Sequence, residues 1–273
     1  MYWAKTDPEQ AAQAKKPYND VKKSGFVEGK FIYTTAIAKH LVPYSILTPV
    51  TIVLPIEQKD GVLTVVKAEK LIMDGNREFG KWMQEAEETW KTKRKDKAAK
   101  QNLYERLDYQ KELTRQDLRQ RYLVLYNHSG MNVAAAYFDR GLEPIPFIVD
   151  VKLYWAAFST KEEANYVAAI LNCDTVNLAI KPFQSTGLLG ERDIHKKLLE
   201  LPIPTFDHEN KIHTEISDLG AAAREGAKKL IKSGEFPVDS SIARQRAFVR
   251  VTLKDEMKTI DKLVAALLKA AGS

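Results

Sequence analysis

The sequence predicts an α+β fold, in which a mainly antiparallel sheet is flanked by helices and followed by a helical C-terminal element. Two stretches, residues 44–66 and 122–158, hold short runs of β-branched and aromatic residues separated by turn residues, which is typical of antiparallel strands. Residues 77–121 and the segment after residue 211 instead repeat apolar residues at the spacing of a helix.

We divide the chain into three parts on this basis. Residues 1–24 are polar and lysine-rich, and we interpret them as a loose lead-in segment. Residues 25–210 form the main domain, and residues 211–273 form the C-terminal helical element.

A hairpin is predicted within residues 44–66. Residues 58–61, which include Asp60 and Gly61, supply a slightly long loop between an apolar run that ends at Ile56 and a second run over residues 62–66. Pro49 and Pro55 interrupt the first run, and proline cannot donate to a strand ladder. The first run is therefore an edge strand or two short pieces.

The next 45 residues, 77–121, are predicted to be helical, since no proline or glycine interrupts them after Gly80. Their apolar stripe consists of Trp82, Ala86, Trp90, Leu103, Leu107, Leu113 and Leu118. The lysine-rich piece at residues 91–100 lacks an apolar face, so we expect a loop or an exposed turn there.

Strand-like runs follow at residues 122–126, 133–138 and 147–158, with a turn at Ser129 and Gly130 between the first two. A capping box at residues 159–162 then opens a helix that runs through Leu171. The segment after it, residues 181–204, is predicted to be irregular.

Two helices are predicted near the C-terminus, with a strand at residues 246–251 between them. The first carries Ile212, Ile216, Leu219 and Ala223, and the second carries Leu253, Met257, Ile260, Val264 and Leu267. Each stripe either covers the domain's own core, which we favour, or binds a partner protein.

The chain has a formal net charge of +6, and the whole excess lies in one stretch. Residues 91–121 hold eleven Lys or Arg against five Asp or Glu, and the remainder of the 273 residues is balanced. A basic segment in a chain that is otherwise neutral favours binding to a polyanion. The alternative is an ordinary solvated charged helix.

The composition indicates a soluble, cytoplasmic protein without a membrane partner. No apolar run reaches membrane-spanning length, and the first ten residues lack the apolar core of a secretory signal. The single cysteine, Cys173, excludes an internal disulfide and a cysteine-based zinc site. We expect it to be buried and inert.

The sequence carries no recognisable catalytic motif. Glycine-rich nucleotide loops are missing, and we interpret His208 and His213 as surface residues. Glu143, Asp150 and Lys152 resemble the acidic D-x-K arrangement of Mg²⁺-dependent nucleases. That pattern is short, and an ordinary strand around Asp150 also explains it.

Residues 180–197 combine cations, short polar side chains and two glycines, the groups that contact phosphates and base edges in DNA. The turn at residues 127–132 adds further polar side chains. The candidate DNA-contacting residues are Lys181, Gln184, Ser185, Arg192, His195, Lys196, Lys197, Asn127, Ser129 and Asn132.

Three sequence features follow one another within residues 164–207. A helix ends in Ile-Leu-Asn at 170–172, an irregular basic loop with glycines covers 187–197, and Leu-Glu-Leu-Pro-Ile-Pro stands at 199–204 before a closing helix. This segment resembles the C-terminal target-recognition region of N6-adenine DNA methyltransferases of restriction–modification type. With the upstream strand-like runs, the resemblance spans residues 25–220.

The resemblance implies a module that reads a sequence in double-stranded DNA. Such methyltransferases also carry an Asn- or Asp-Pro-Pro-aromatic motif and a glycine-rich S-adenosylmethionine motif, and this sequence has neither. We therefore expect no cofactor in this chain, with S-adenosylmethionine held by an associated catalytic domain or subunit. The alternatives are the nuclease built on Asp150 and Lys152 and a protein-interaction scaffold.

Overall fold

The computed structural model has an α+β fold and describes residues 1–95, 98–187, 190, 191, 193, 194, 198 and 201–271. The strands are β1 (Tyr2–Lys5), β2 (Ser24–Val27), β3 (Ile32–Thr35), β4 (Leu41–Val42), β5 (Ser45–Ile46), β6 (Val50–Val53), β7 (Ile56–Lys59), β8 (Val62–Val65), β9 (Tyr122–Asn127), β10 (Ala135–Asp139), β11 (Leu153–Phe158), β12 (Thr186–Gly187) and β13 (Gly190–Glu191). The α-helices are α1 (Pro8–Ala12), α2 (Ala68–Met73), α3 (Arg77–Lys93), α4 (Leu103–Leu107), α5 (Lys161–Asn172), α6 (Asp174–Ile180), α7 (Lys211–Lys232), α8 (Ile242–Thr252) and α9 (Lys254–Ala271).

The chain forms two compact units. Unit 1 consists of residues 1–34, 51–119 and 145–148. Unit 2 consists of residues 35–50, 120–144 and 149–273. In the described part of the chain the largest sheet has three strands, and the others have two. The predicted single sheet is thus divided into several small antiparallel sheets.

Unit 1 includes the segment that the sequence suggested was a loose lead-in. Strand β1 pairs antiparallel with β2 in the register Trp3 to Phe26, and Asp7 caps helix α1 by accepting from the backbone N–H of Glu9 at 2.8 Å. Residues 1–24 therefore contribute regular structure to this unit.

The predicted hairpin is present in unit 1 as β7 and β8, paired from Ile56 with Val65 to Lys59 with Val62. Its loop is shorter than predicted, because Lys59 pairs with Val62. It consists of Asp60 and Gly61 alone, both with positive φ, 52° and 85°. These are the conformations that a two-residue hairpin turn requires. The preceding apolar run is broken into short strands, as Pro49 and Pro55 predicted.

Helix α3 confirms the predicted stripe, because Trp82 and Ala86 pack against a core that holds Phe79 and Met83. The prediction that helix continues to residue 121 is wrong. Two consecutive residues at 110 and 111 have positive φ, 55° and 61°, which a right-handed helix cannot accommodate.

Unit 2 is built on an antiparallel sheet in the order β10-β9-β11. Tyr126 of the central strand lies opposite Ala135 on one side and Tyr154 on the other. The strand predicted from residue 147 begins only at Leu153. Asp150 instead occupies a turn, where its backbone oxygen accepts from the N–H of Leu153 at 2.9 Å.

Helix α5 begins at the predicted place, shifted by one residue. The Thr160 hydroxyl accepts from the backbone N–H of Glu163 at 3.2 Å, and the Glu163 carboxylate accepts from the N–H of Ser159 at 3.2 Å. The helix packs against the three-stranded sheet and against α7.

The asparagine that ends α5 binds the free edge of β10. Asn172 is fully buried, accepts from the N–H of Ala135 at 3.0 Å and donates to its carbonyl at 2.8 Å. Asn177 of α6 accepts from the N–H of Val133 at 2.7 Å. These amides satisfy edge-strand backbone groups that a further strand would otherwise bind.

Both predicted C-terminal helices are present as α7 and α9, and their apolar stripes lie in the core of unit 2. The buried members include Ile216, Ala223, Met257, Ile260, Val264 and Leu267. The strand predicted at residues 246–251 is wrong: these residues belong to helix α8, which buries Val249.

Candidate nucleic-acid interface

The loop between β9 and β10 is shaped by one buried side chain. Asn127 is fully buried, and its Nδ2 donates to the carbonyls of Ser129 at 2.8 Å and Asn132 at 3.2 Å. Its Oδ1 accepts from the backbone N–H of Ala134 at 2.7 Å. The amide thus joins three backbone groups and fixes the path of residues 128–132.

A second segment, about fifty residues later, docks on this loop through polar contacts. Lys181 Nζ donates to the carbonyl of Met131 at 2.7 Å, and Gln184 Nε2 donates to that of Gly130 at 3.2 Å. The N–H of Ile194 donates to the carbonyl of His128 at 3.0 Å. We call residues 128–132, 181–185, 193 and 194 the loop surface.

The candidate residues on the loop surface divide into two groups by exposure. Ser129 and Ser185 are exposed, and Asn132 and Lys181 are partly exposed. Gln184 is buried, like Asn127, so both amides hold the loop surface together in this structure. The Ser185 hydroxyl donates to the carboxylate of Asp193 at 2.5 Å.

Four other candidates, Arg192, His195, Lys196 and Lys197, lie outside the described residues. The assignment of these side chains as DNA contacts remains a prediction from the sequence.

An aromatic stack borders the loop surface, and the sequence analysis did not select it. The exposed ring of His128 stacks on Tyr154 with centroids 4.9 Å apart, and Tyr154 lies 5.1 Å from the ring of Tyr126. Burial raises the pKa of Tyr154, and the nearby charge of Asp193 raises it further. The available signal was the aromatic content of β9 and β11.

Arg246 of α8 lies against the same loop and was also missed. Its Nε donates to the carbonyl of Leu41 at 2.9 Å and its Nη2 to that of Ala38 at 2.6 Å. Burial, and to a lesser extent the charge of Arg250, lowers the pKa of Arg246 to about 10. The guanidinium therefore remains charged at neutral pH.

The basic stretch at residues 91–121 contains many cations that already pair with nearby carboxylates. The pairs include Lys91 with Glu88, Lys93 with Asp20, Lys111 with Asp108, Arg115 with Glu112, and Arg119 with Asp117. A pair with both partners exposed, such as Lys91 with Glu88, contributes only about 0–1 kcal/mol. A polyanion can replace the carboxylate of such a pair at little cost, and an ordinary solvated surface has the same pairs.

Asp150 and Lys152, the D-x-K residues of the nuclease alternative, have a structural role in the turn before β11. The Asp150 carboxylate accepts from the N–H of Lys152 at 2.8 Å, which stabilises the turn before β11. Burial raises the pKa of Asp150, opposed by that hydrogen bond and by the charge of Lys152. Across the described ranges, no three His, Cys, Asp or Glu side chains form a group that could hold a metal ion.

The predictions for two histidines and for the single cysteine can be compared with the structure. His213 is not a surface residue: it is 4% exposed, and its Nδ1 accepts from the N–H of Asp207 at 3.1 Å. His208 is exposed as predicted. Cys173 is buried at the end of α5, and burial raises the pKa of its thiol, which disfavours the reactive thiolate.

Within the described part of the chain, no helix has both the length and the apolar character needed to cross a membrane. No family model and no curated protein matches this chain.

Proposed function

We propose that this chain is a module for sequence-specific recognition of double-stranded DNA, serving an N6-adenine DNA methyltransferase or a related restriction–modification enzyme. The observation that carries the proposal is the loop surface. It unites two candidate segments, at 128–132 and 181–185, that are about fifty residues apart in sequence. The resemblance of residues 164–207 to methyltransferase target-recognition regions supplies the choice of partner.

In this proposal the present chain holds the DNA while an associated catalytic domain modifies the base. A methyltransferase extrudes its target adenine from the duplex, and the flanking DNA must stay in register meanwhile. Cations such as Lys181 hold the phosphates, and polar side chains such as those of Ser129 and Ser185 contact base edges. S-adenosylmethionine and the transfer chemistry belong, in this proposal, to an associated catalytic domain or subunit.

Binding of duplex DNA by this chain is expected to be measurable and sensitive to salt. At physiological salt we expect a Kd in the range of about 10⁻⁴–10⁻⁶ M, with tighter binding at low salt, measured by fluorescence anisotropy. Lys181→Ala should weaken binding and lower the slope of log K against log salt by about one, the loss of one phosphate contact. Lys258→Ala, at an exposed position on α9, is the matched control and should change neither quantity.

An absence of binding at low salt would overturn the proposal. Cleavage of the duplex in Mg²⁺ that is abolished by Asp150→Asn would instead support the nuclease alternative. Binding without any sequence preference would favour a scaffold with a general affinity for polyanions.

Arg192 is expected to contact a base directly, because a guanidinium fork fits the O6 and N7 atoms of guanine. Arg192→Ala should cost about 1–3 kcal/mol of binding on the preferred site and relax the preference at one position. Lys196→Ala and Lys197→Ala should weaken binding to all sequences about equally. A panel of single-base variants of the preferred duplex measures the difference.

The alternative role of Arg192 is to pair with Glu191, Asp193 or Glu200 and maintain the shape of the loop. In that case Arg192→Ala lowers the melting temperature and weakens binding to all sequences together. An unchanged base preference in a stably folded variant would remove Arg192 from the residues that contact bases.

A further inference from the structure

The guanidinium of Arg246 is held in place by two of its nitrogens, which leaves the third directed at the loop surface. Nε and Nη2 donate to the backbone carbonyls of Leu41 and Ala38. Nη1 has no hydrogen-bond acceptor among the described residues, and it lies beside Gly130. An arginine fixed in this way loses little conformational entropy when Nη1 binds a ligand.

The glycine at position 130 keeps this nitrogen uncovered. A Cβ at Gly130 would lie 3.1 Å from Arg246 Nη1 and 3.0 Å from Asn127 Nδ2. The φ of Gly130 is +141°, a conformation that side-chain-bearing residues rarely adopt. Any other residue here would strain the loop and cover the guanidinium.

A second cation, Lys181, contacts the same loop from the segment at residues 181–185. Lys181 Nζ lies 2.7 Å from the carbonyl of Met131, the residue after Gly130. Arg246 and Lys181 thus place one cationic donor next to Gly130 and one next to Met131.

We propose that Arg246 Nη1, next to Gly130, and Lys181 Nζ, next to Met131, form a binding site for one backbone phosphate of duplex DNA. The inference rests on the proposed function and deepens it, because it assigns a phosphate contact to a helix outside the candidate segments. Phosphate oxygens accept charge-assisted hydrogen bonds from Arg and Lys. A contact of this kind fixes the register of the protein on the duplex.

The test replaces one phosphate at a time by an uncharged methylphosphonate, along a duplex first enriched for binding from a random pool. With the unmodified protein, at least one position is expected to weaken binding about tenfold, the effect of one lost charge-assisted hydrogen bond. In Arg246→Lys the charge remains but the directed Nη1 is lost. The effect at one such position should then fall to less than twofold.

Arg250→Lys is the matched control, four residues later on the same helix. Arg250 donates to the carbonyls of Val133 and Asn172, so its replacement should lower stability while preserving the whole methylphosphonate pattern. If Arg246→Lys does not fold, Lys181→Gln, at the partly exposed end of the site, should remove the same position from the pattern.

The outcomes separate the inference from the proposed function. A pattern that is the same in unmodified protein, Arg246→Lys and Lys181→Gln overturns the phosphate site alone. A pattern that Arg250→Lys changes in the same way reduces Arg246 to a structural role and also overturns the site. Failure of the unmodified protein to enrich or bind any duplex overturns the proposed function, and the site with it.

Discussion

Deletion of residues 253–273 is expected to unfold unit 2. The deleted segment contributes five apolar side chains that are at most 8% exposed: Leu253, Met257, Ile260, Val264 and Leu267. Each such burial stabilises the folded state by about 1.5–3 kcal/mol. Their combined loss is comparable with the whole stability of a typical domain, about 5–15 kcal/mol.

The experiment compares urea unfolding of the full chain, the truncated chain and two point variants. Ile260→Ala removes a fully buried side chain and should cost about 2–5 kcal/mol. Lys258→Ala, on the exposed face of the same helix, should stay within about 0.5 kcal/mol of the unmodified protein. A truncated chain that keeps the original unfolding transition would show that the stripe of α9 serves a partner and not this core.

Elements with strong local signals could be predicted from the sequence. The β7–β8 hairpin follows from Asp60-Gly61, because few residues other than glycine and Asp or Asn adopt the positive φ of its turn. Helix α5 follows from its cap at Thr160 and its apolar repeat. Helices α7 and α9 follow from stripes that persist over several turns.

Elements set by distant packing could not be predicted in this way. Residues 246–251 contain two arginines among apolar residues, and we predicted a strand there, yet they form part of α8. Arg246 and Arg250 are four residues apart, so a helix places both on one face, where they bind carbonyls of distant segments. A window of six mainly apolar residues does not by itself distinguish a helix from a strand.

The candidate site likewise depends on contacts between residues that are far apart in the sequence. The residue types at 127–132 and 181–185 identified both segments as candidates, but nothing in the sequence indicated that they would contact each other. Nor did it separate the exposed Ser129 and Ser185 from the buried Asn127 and Gln184. Exposure depends on hydrogen bonds such as that from Gln184 to Gly130, which join residues 54 positions apart.

Asn127→Ala is expected to destabilise unit 2 and to abolish the shape of the loop surface. The substitution leaves the carbonyls of Ser129 and Asn132 and the N–H of Ala134 without the partner that now binds them. An unsatisfied buried polar group costs about 1–3 kcal/mol. Urea unfolding measures the loss, and hydrogen exchange at the Ala134 amide reports whether the loop has opened.

Asn127→Asp is the matched variant, because it preserves the size of the side chain and the acceptor for Ala134. It replaces the donating Nδ2 by an oxygen that faces two carbonyl oxygens in a fully buried position. Burial and this repulsion should raise the pKa of the introduced carboxyl above its unfolded value of about 3.9. At neutral pH we expect a loss of about 3–5 kcal/mol, the cost of an uncompensated buried charge.

The pH dependence distinguishes this explanation from a general loss of packing. Because the folded Asn127→Asp variant would bind its proton more tightly than the unfolded chain, its stability should rise as the pH falls through the raised pKa. The protonated carboxyl also regains one donor for Ser129 or Asn132. The difference in unfolding free energy between Asn127→Asp and the unmodified protein should therefore shrink between pH 7 and about pH 4, whereas the deficit of Asn127→Ala should stay constant. Equal deficits for the two variants at every pH would show that the amide does not hold the loop through these hydrogen bonds.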